Sequence, residues 1–114
     1  DTRKVFAYED KDIIILDSNE ILYFESMEDG VYAVTKSASC KTRNTLEYFE
    51  MRMPENKFFR CHRSYLVNIG KIRRLVNMVS TYDIVLEGVK KPIPLSKGRV
   101  KVLKKRLSDG MTTS

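Results

Sequence analysis

A single histidine, His62, adjoins one of two cysteines, Cys61, and this pair is the first place to look for nucleophilic or metal chemistry. Both close the run Phe58-Phe59-Arg60-Cys61-His62, which reads as a strand. Neighbours on a strand project to opposite faces, so the two side chains can neither act as a dyad nor chelate one ion. Cys40 is the only other soft ligand. The carboxylates between Asp10 and Asp29 are numerous enough for a two-metal nuclease, but they fall in turns and at strand ends, and no spacing selects a pair. Five scattered glycines form neither a G-x-G-x-x-G nor a G-x-x-x-x-G-K-[ST] cradle. The expectation is a protein that is not an enzyme, with no cofactor, no metal and no small-molecule substrate.

The cations are better placed for chemistry. Arg60, Arg63, Lys71, Arg73, Arg74, Lys90, Lys91, Lys97, Arg99 and Lys101 fall at turns, strand ends and a helix start, from which long side chains reach phosphates. Arg63 leaves the Phe58-Phe59 strand where the chain turns. It either presents its planar fork to a guanine edge or pairs with one of the acidic turns, and residue types alone leave both open. Ser96 precedes a basic helix; its hydroxyl and the first free N–H groups suit a phosphate as well as an ordinary cap.

Charge is unevenly spread. Residues 1–56 hold 7 Lys/Arg against 12 Asp/Glu, a net −5, whereas residues 57–114 hold 14 against 3, a net +11. An acidic half joined to a strongly basic one points to a polyanion partner or to a solvated basic face. The aromatic residues sit mostly at strand positions needed by a small core, which argues against stacking on single strands. With 114 residues, 42% hydrophobic and 32% charged, the chain suits one domain. It has no apolar run of roughly 20 residues, and two cysteines are too few for a disulfide scaffold, so a soluble, cytoplasmic module is expected. The start Asp-Thr-Arg-Lys-Val, without Met or signal pattern, suggests a fragment of a longer regulator.

The elements that must position these groups are short. Val5 and Ala7 alternate, Ile13–Leu16 is a continuous apolar run, and Ile21–Phe24 forms a two-sided strand after the turn Asp17–Glu20. Asp29-Gly30 is a hairpin signal leading to Val31–Thr35. Residues 44–53 change period: Leu46, Phe49 and Met53 share a helix face, Asn44 or Thr45 caps it, and Pro54 stops it. Strands follow at 58–62, 64–68 and 82–86, with Ile69, Ile72, Leu75 and Val79 scattered through a basic stretch. Pro92–Leu95 is extended, and Ser96 opens a last helix edged by Val100, Leu103 and Leu107 and ended by Asp109-Gly110.

The stretch Phe58-Phe59-Arg60-Cys61-His62-Arg63-Ser64-Tyr65-Leu66-Val67-Asn68 resembles the signature of the LytTR domain, the DNA-binding module of LytR/AgrA-type response regulators. Ile21–Ser26 resembles the family's I-x-Y-x-E strand, Thr45-Leu46 with Phe49 its short helix, and Pro94-Leu95-Ser96-Lys97 the approach to its last helix. The similarity runs from about Ile13 to Leu107. It implies one domain over 1–114, with a core at about 13–107 and a tail at 108–114. The implied fold is mostly β: an elongated arrangement of small antiparallel sheets with two short helices.

The same resemblance implies sequence-specific binding of double-stranded DNA through loops that enter successive major grooves. Two copies would pair as a dimer on promoter direct repeats, below a missing N-terminal receiver or other input domain. Carried over by position, the implied contacts are the loop Met27–Val31, with Asp29, Gly30 and Val31; then Arg63 with Ser64; and third Ser96, Lys97 and Arg99. Asn44, Thr45 and Lys101 would touch the backbone. Lys97 stands where relatives often place arginine, and the first loop lacks a basic or imidazole side chain. The competing readings are a non-catalytic basic module for an acidic protein partner or membrane surface, and a metal-dependent nuclease.

Overall fold

The computed structural model describes residues 3–109. Ten strands form three antiparallel sheets. Strands β1 (Lys4–Glu9) and β2 (Asp12–Asp17) make a hairpin. A five-stranded sheet has the order β5-β4-β3-β7-β6, from β3 (Ile21–Met27), β4 (Gly30–Thr35), β5 (Ser39–Lys41), β6 (Phe58–His62) and β7 (Tyr65–Asn68). A three-stranded sheet has the order β10-β9-β8, from β8 (Ile72–Asn77), β9 (Tyr82–Leu86) and β10 (Ile93–Leu95). Helices α1 (Leu46–Arg52) and α2 (Val100–Asp109) complete an elongated body with extents of 49 × 30 × 24 Å. The architecture is the mostly β arrangement expected from the sequence.

The five-stranded sheet is buried on both faces. On one lie Val5, Ala7 and Leu16 of the hairpin and Leu46, Phe49 and Met53 of α1, packed on Ile21, Phe24, Val31, Ala33 and Leu66. On the other, Ile84, Leu86, Ile93, Leu95 and Leu103 pack on Leu22, Tyr23, Phe59, Cys61 and Val67. This explains why β3 opens with four buried residues in a row. A bulge between Ile21 and Tyr23 breaks strict alternation: Ile21 and Phe24 share one core, Leu22 and Tyr23 the other. The two-sided strand expected from the sequence would place Ile21 with Tyr23 and Leu22 with Phe24; the bulge instead separates both pairs.

Other expectations shift for local reasons. The first helix is shorter than 44–53, because Thr45 is its cap: the Thr45 hydroxyl accepts from Tyr48 N–H at 3.1 Å. Glu28 and Asp29 form the hairpin turn, and Gly30 is already paired with Met27; its φ of +144° suits glycine. Strands β5 and β8 carry little hydrophobic alternation, so period alone does not mark them. β8 is held by its pairing with β9, and its two arginines point at water. A short 3-10 turn, Lys97–Arg99, precedes α2, and the Ser96 side chain makes no cap hydrogen bond. The core starts at Val5, before Ile13, and α2 includes Ser108 and Asp109. Gly110 lies outside the described residues.

Cys61 is fully buried, and burial pushes its thiol up to about 12 from an ordinary 9.0. Cys40, half-buried, is raised by desolvation and by Glu9 and Glu20. At pH 8, iodoacetamide should therefore label Cys40 on the native chain and spare Cys61 until urea unfolds it; equal native labelling by mass spectrometry would contradict this packing. The folded thiol resists ionisation, so its contribution to stability is intact below about pH 9 and is lost as pH rises towards 12.

Candidate nucleic-acid interface

Antiparallel pairing brings the expected contact segments to one end of the central sheet. Glu25 of β3 pairs with Tyr65 of β7, so the β3–β4 turn and the β6–β7 turn emerge side by side. Ser26 N–H donates to the Ser64 carbonyl at 2.9 Å and links them. In β6 a bulge leaves Cys61 without a partner in the ladder. Its carbonyl instead accepts from Ser96 N–H at 2.9 Å, which moors the β10–α2 junction to the same end. Arg63 and Ser96, 33 positions apart, thus line one shallow depression with His62, Gly98 and Arg99.

Arg63 is held by its main chain and free at its side chain. Arg60 clamps the turn beneath it: Nε donates to the His62 carbonyl at 3.0 Å and Nη2 to the Arg63 carbonyl at 2.5 Å. Nη1 donates to Glu50 Oε1 at 2.8 Å, and Glu47 lies 3.6 Å from Nη2. Ser64 N–H donates to His62 Nδ1 at 3.1 Å, closing the turn from the other side. The Arg63 guanidinium itself is exposed and, among the described residues, has no ion pair or hydrogen bond. The ion-pair alternative left open by residue types is not what the structure holds. Lys97 and Lys101 are likewise exposed and unpaired.

Several expected phosphate ligands are occupied. Arg60 keeps only 16% of its side chain exposed and serves the turn. Lys71 and Arg73 pair with Glu87. Arg99 donates from Nε to the Arg60 carbonyl at 3.2 Å, and its guanidinium lies 4.7 Å over the Phe59 ring. It fixes the α2 entry to β6, which leaves Lys97 to reach outward. Lys91 donates to both Glu25 oxygens at 2.9 Å, and the Tyr65 hydroxyl donates to Glu25 Oε2 at 2.9 Å. Burial opposes the Lys91 charge, but these bonds to Glu25 and Tyr65 outweigh it and hold the ammonium above the ordinary lysine range. The Glu25–Tyr65–Lys91 group ties β3, β7 and the β9–β10 loop together behind the turn. The sequence offered one hint of it: Glu25 is a carboxylate on an otherwise apolar strand.

The first loop differs most from expectation. Val31 is buried in the core beside Phe24, so its side chain is withdrawn from any ligand, because Gly30 and not Val31 opens β4. A Cβ on Gly30 would stand 3.1 Å from Lys41 Cε. Asp29 is exposed, but the Tyr32 hydroxyl donates to it at 2.7 Å and Lys41 lies at 3.4 Å. The Tyr32 hydroxyl and Lys41 hold its carboxyl below the usual range, so it remains anionic and partnered. Thr45 is engaged as the α1 cap, and Asn44 faces a cleft with Arg3, Val5 and Tyr48, apart from the Arg63 depression. Among the described residues no group of three or more His, Cys, Asp or Glu side chains is arranged to hold a metal, and no helix is long and apolar enough to cross a membrane.

Small antiparallel sheets with an unpaired arginine and lysine exposed at one end have the form of a nucleic-acid-binding domain. Residues 11–108 match the profile of the LytTr DNA-binding domain, and the chain belongs to this LytTR family. It is 33% identical over 93 residues to the transcriptional regulatory protein YpdB of Escherichia coli, covering 81% of this chain and 38% of that protein. It is also 33% identical over 96 residues to the sensory transduction protein LytT of Bacillus subtilis, covering 83% and 39%. The chain thus spans about two fifths of the length of these relatives. A solved LytTr DNA-binding domain from Bacillus cereus superposes with a TM-score of 0.83 at 23% identity, covering 95% of this chain and 97% of that one, and shows the shared fold.

Proposed function

We propose that this domain binds duplex DNA sequence-specifically as the effector part of a transcriptional regulator of the response-regulator type. The carrying observation is the joining of the Arg63 turn to the Ser96–Lys97 junction through the Ser96–Cys61 hydrogen bond, with both cations unpaired. Arg63 is the base reader, its fork suited to guanine O6 and N7. Ser64, Ser96 and Lys97 contact phosphates beside it, and Lys101 reaches the backbone from α2. Two copies occupy direct repeats, each laying its loops into successive major grooves. Family membership and the −5/+11 division of charge support this reading.

Selection of binding sites from a pool of random duplexes, at two salt concentrations, tests it. Enrichment of one short motif recurring as spaced direct repeats is the expected result. Salt-sensitive binding without enrichment would reduce the domain to a general polyanion binder and remove the base-reading role. Lys101→Ala should weaken selected and random duplexes alike and lower the log–log salt slope by about one. A change in base preference with Lys101→Ala would contradict its placement on phosphate.

A further inference from the structure

The β8–β9 hairpin ends in Asn77-Met78-Val79-Ser80-Thr81, a segment without charge and without a role in either core. Val79 is 99% exposed and Met78 49% exposed, although both are apolar. Val79 also sits at φ +76°, a left-handed conformation that β-branched residues avoid. The strain is maintained by built contacts: Val79 N–H donates to Asn77 Oδ1 at 2.7 Å, and Met78 N–H donates to the Thr81 carbonyl at 2.8 Å. Folding therefore spends conformational strain to hold an apolar side chain in water, and such strain is typical of sites that meet a ligand.

Register locates the tip. Tyr82 pairs with Leu95 across β9 and β10, and with Asn77 across β9 and β8. Thr81 is therefore next to Ser96, the residue moored to Cys61, and the tip residues Val79 and Ser80 project about 3 Å beyond that row, given the rise of a strand. Ser96 also lines the depression that holds Arg63, so the tip lies at the end of the molecule that carries Arg63. We propose that the Met78–Thr81 tip is an additional contact to the duplex, in which Val79 and Met78 pack on deoxyribose faces or thymine methyls while Ser80 and Thr81 donate to phosphate. An apolar, hydroxyl-rimmed tip suits the sugar–phosphate wall of a groove, and continuity through Ser96 with the Arg63 depression favours DNA over any other occupant.

This inference rests on the DNA-binding reading above, and its test separates the two. Wild-type chain and the double variant Met78→Ser/Val79→Gly are titrated against a duplex with one selected site and against one with two, each at several salt concentrations. The variant should bind the single site about tenfold more weakly, in proportion to the apolar surface withdrawn, with an unchanged salt slope. Its urea midpoint should be unchanged or higher, since glycine relieves the strain at φ +76°. Val79→Asp, which sets a charge against phosphate, should bind more weakly still. Wild-type affinity in both variants would overturn the contact. A loss confined to the two-site duplex would overturn it as well, by assigning the tip to a neighbouring copy. A wild-type chain that retards no duplex would overturn the DNA reading itself, and the tip's role with it.

Discussion

Arg63→Ala is expected to cost about 1–3 kcal/mol of affinity for a selected operator, roughly a 5- to 150-fold loss, and much less for random duplex. The guanidinium has no intramolecular partner among the described residues, so nothing in the fold is orphaned when it is removed. Its unfolding free energy from urea denaturation should accordingly stay within about 0.5 kcal/mol of wild type. Fluorescence anisotropy on operator and scrambled duplexes gives the specificity ratio directly. Equal losses on both would make Arg63 a phosphate contact and move base reading elsewhere. Arg63→Lys separates fork from charge: it should preserve random-duplex affinity yet fail to restore discrimination, because a single ammonium lacks the bidentate geometry. Arg60 provides the contrast within the same motif. Its side chain faces inward onto the turn's carbonyls and onto Glu47 and Glu50, so its loss would act on the presentation of Arg63.

Phe24→Ala should destabilise the fold by about 3–5 kcal/mol, a large share of the roughly 5–15 kcal/mol available to a domain of this kind. Phe24 is fully buried, stacked on Phe49 at 4.4 Å between centroids and tilted against Phe58 at 5.7 Å. It therefore joins β3, at the centre of the sheet, to α1 and to the edge strand β6, and a truncation there leaves a cavity that two strands and a helix cannot jointly collapse. Urea denaturation followed by circular dichroism measures the effect as a lowered midpoint. Ile15→Ala is the companion measurement. Ile15 lies on the outer face of the β1–β2 hairpin, 60% exposed, and its truncation should change stability by no more than about 0.5 kcal/mol. A comparable loss at both positions would mean that the hairpin's outer face is covered in solution.

Much of this fold was legible in one dimension because its strands are short, local and joined by polar turns. The strands at Ile13–Leu16, Ile21–Phe24, Phe58–His62 and Tyr82–Leu86, and the helix face of Leu46, Phe49 and Met53, follow from period and punctuation. Strand β8 was not legible: Arg73 and Arg74 interrupt its apolar residues, and its conformation is imposed by pairing with β9. The bulges at Leu22 and Cys61 were hidden for a related reason, since an extra residue is defined only against the strand opposite.

The site divides along the same line. Residue types and the separation of charge pointed to a polyanion, and the resemblance of the motif around Arg63 to the LytTR signature implied DNA as partner, with Arg63 and Lys97 among its ligands. Which cations remain free was decided only in three dimensions. Arg60, Arg63 and Arg99 are chemically identical, and the sequence contains acids enough to neutralise any of them. Only the folded chain brings Glu47 and Glu50 to Arg60, sets Arg99 on Phe59 and withdraws Val31 into the core, leaving Arg63 and Lys97 without a partner among the described residues. A long side chain's partner depends on which distant strand ends share one edge of a sheet, and that proximity follows from register and bulges that no local pattern encodes.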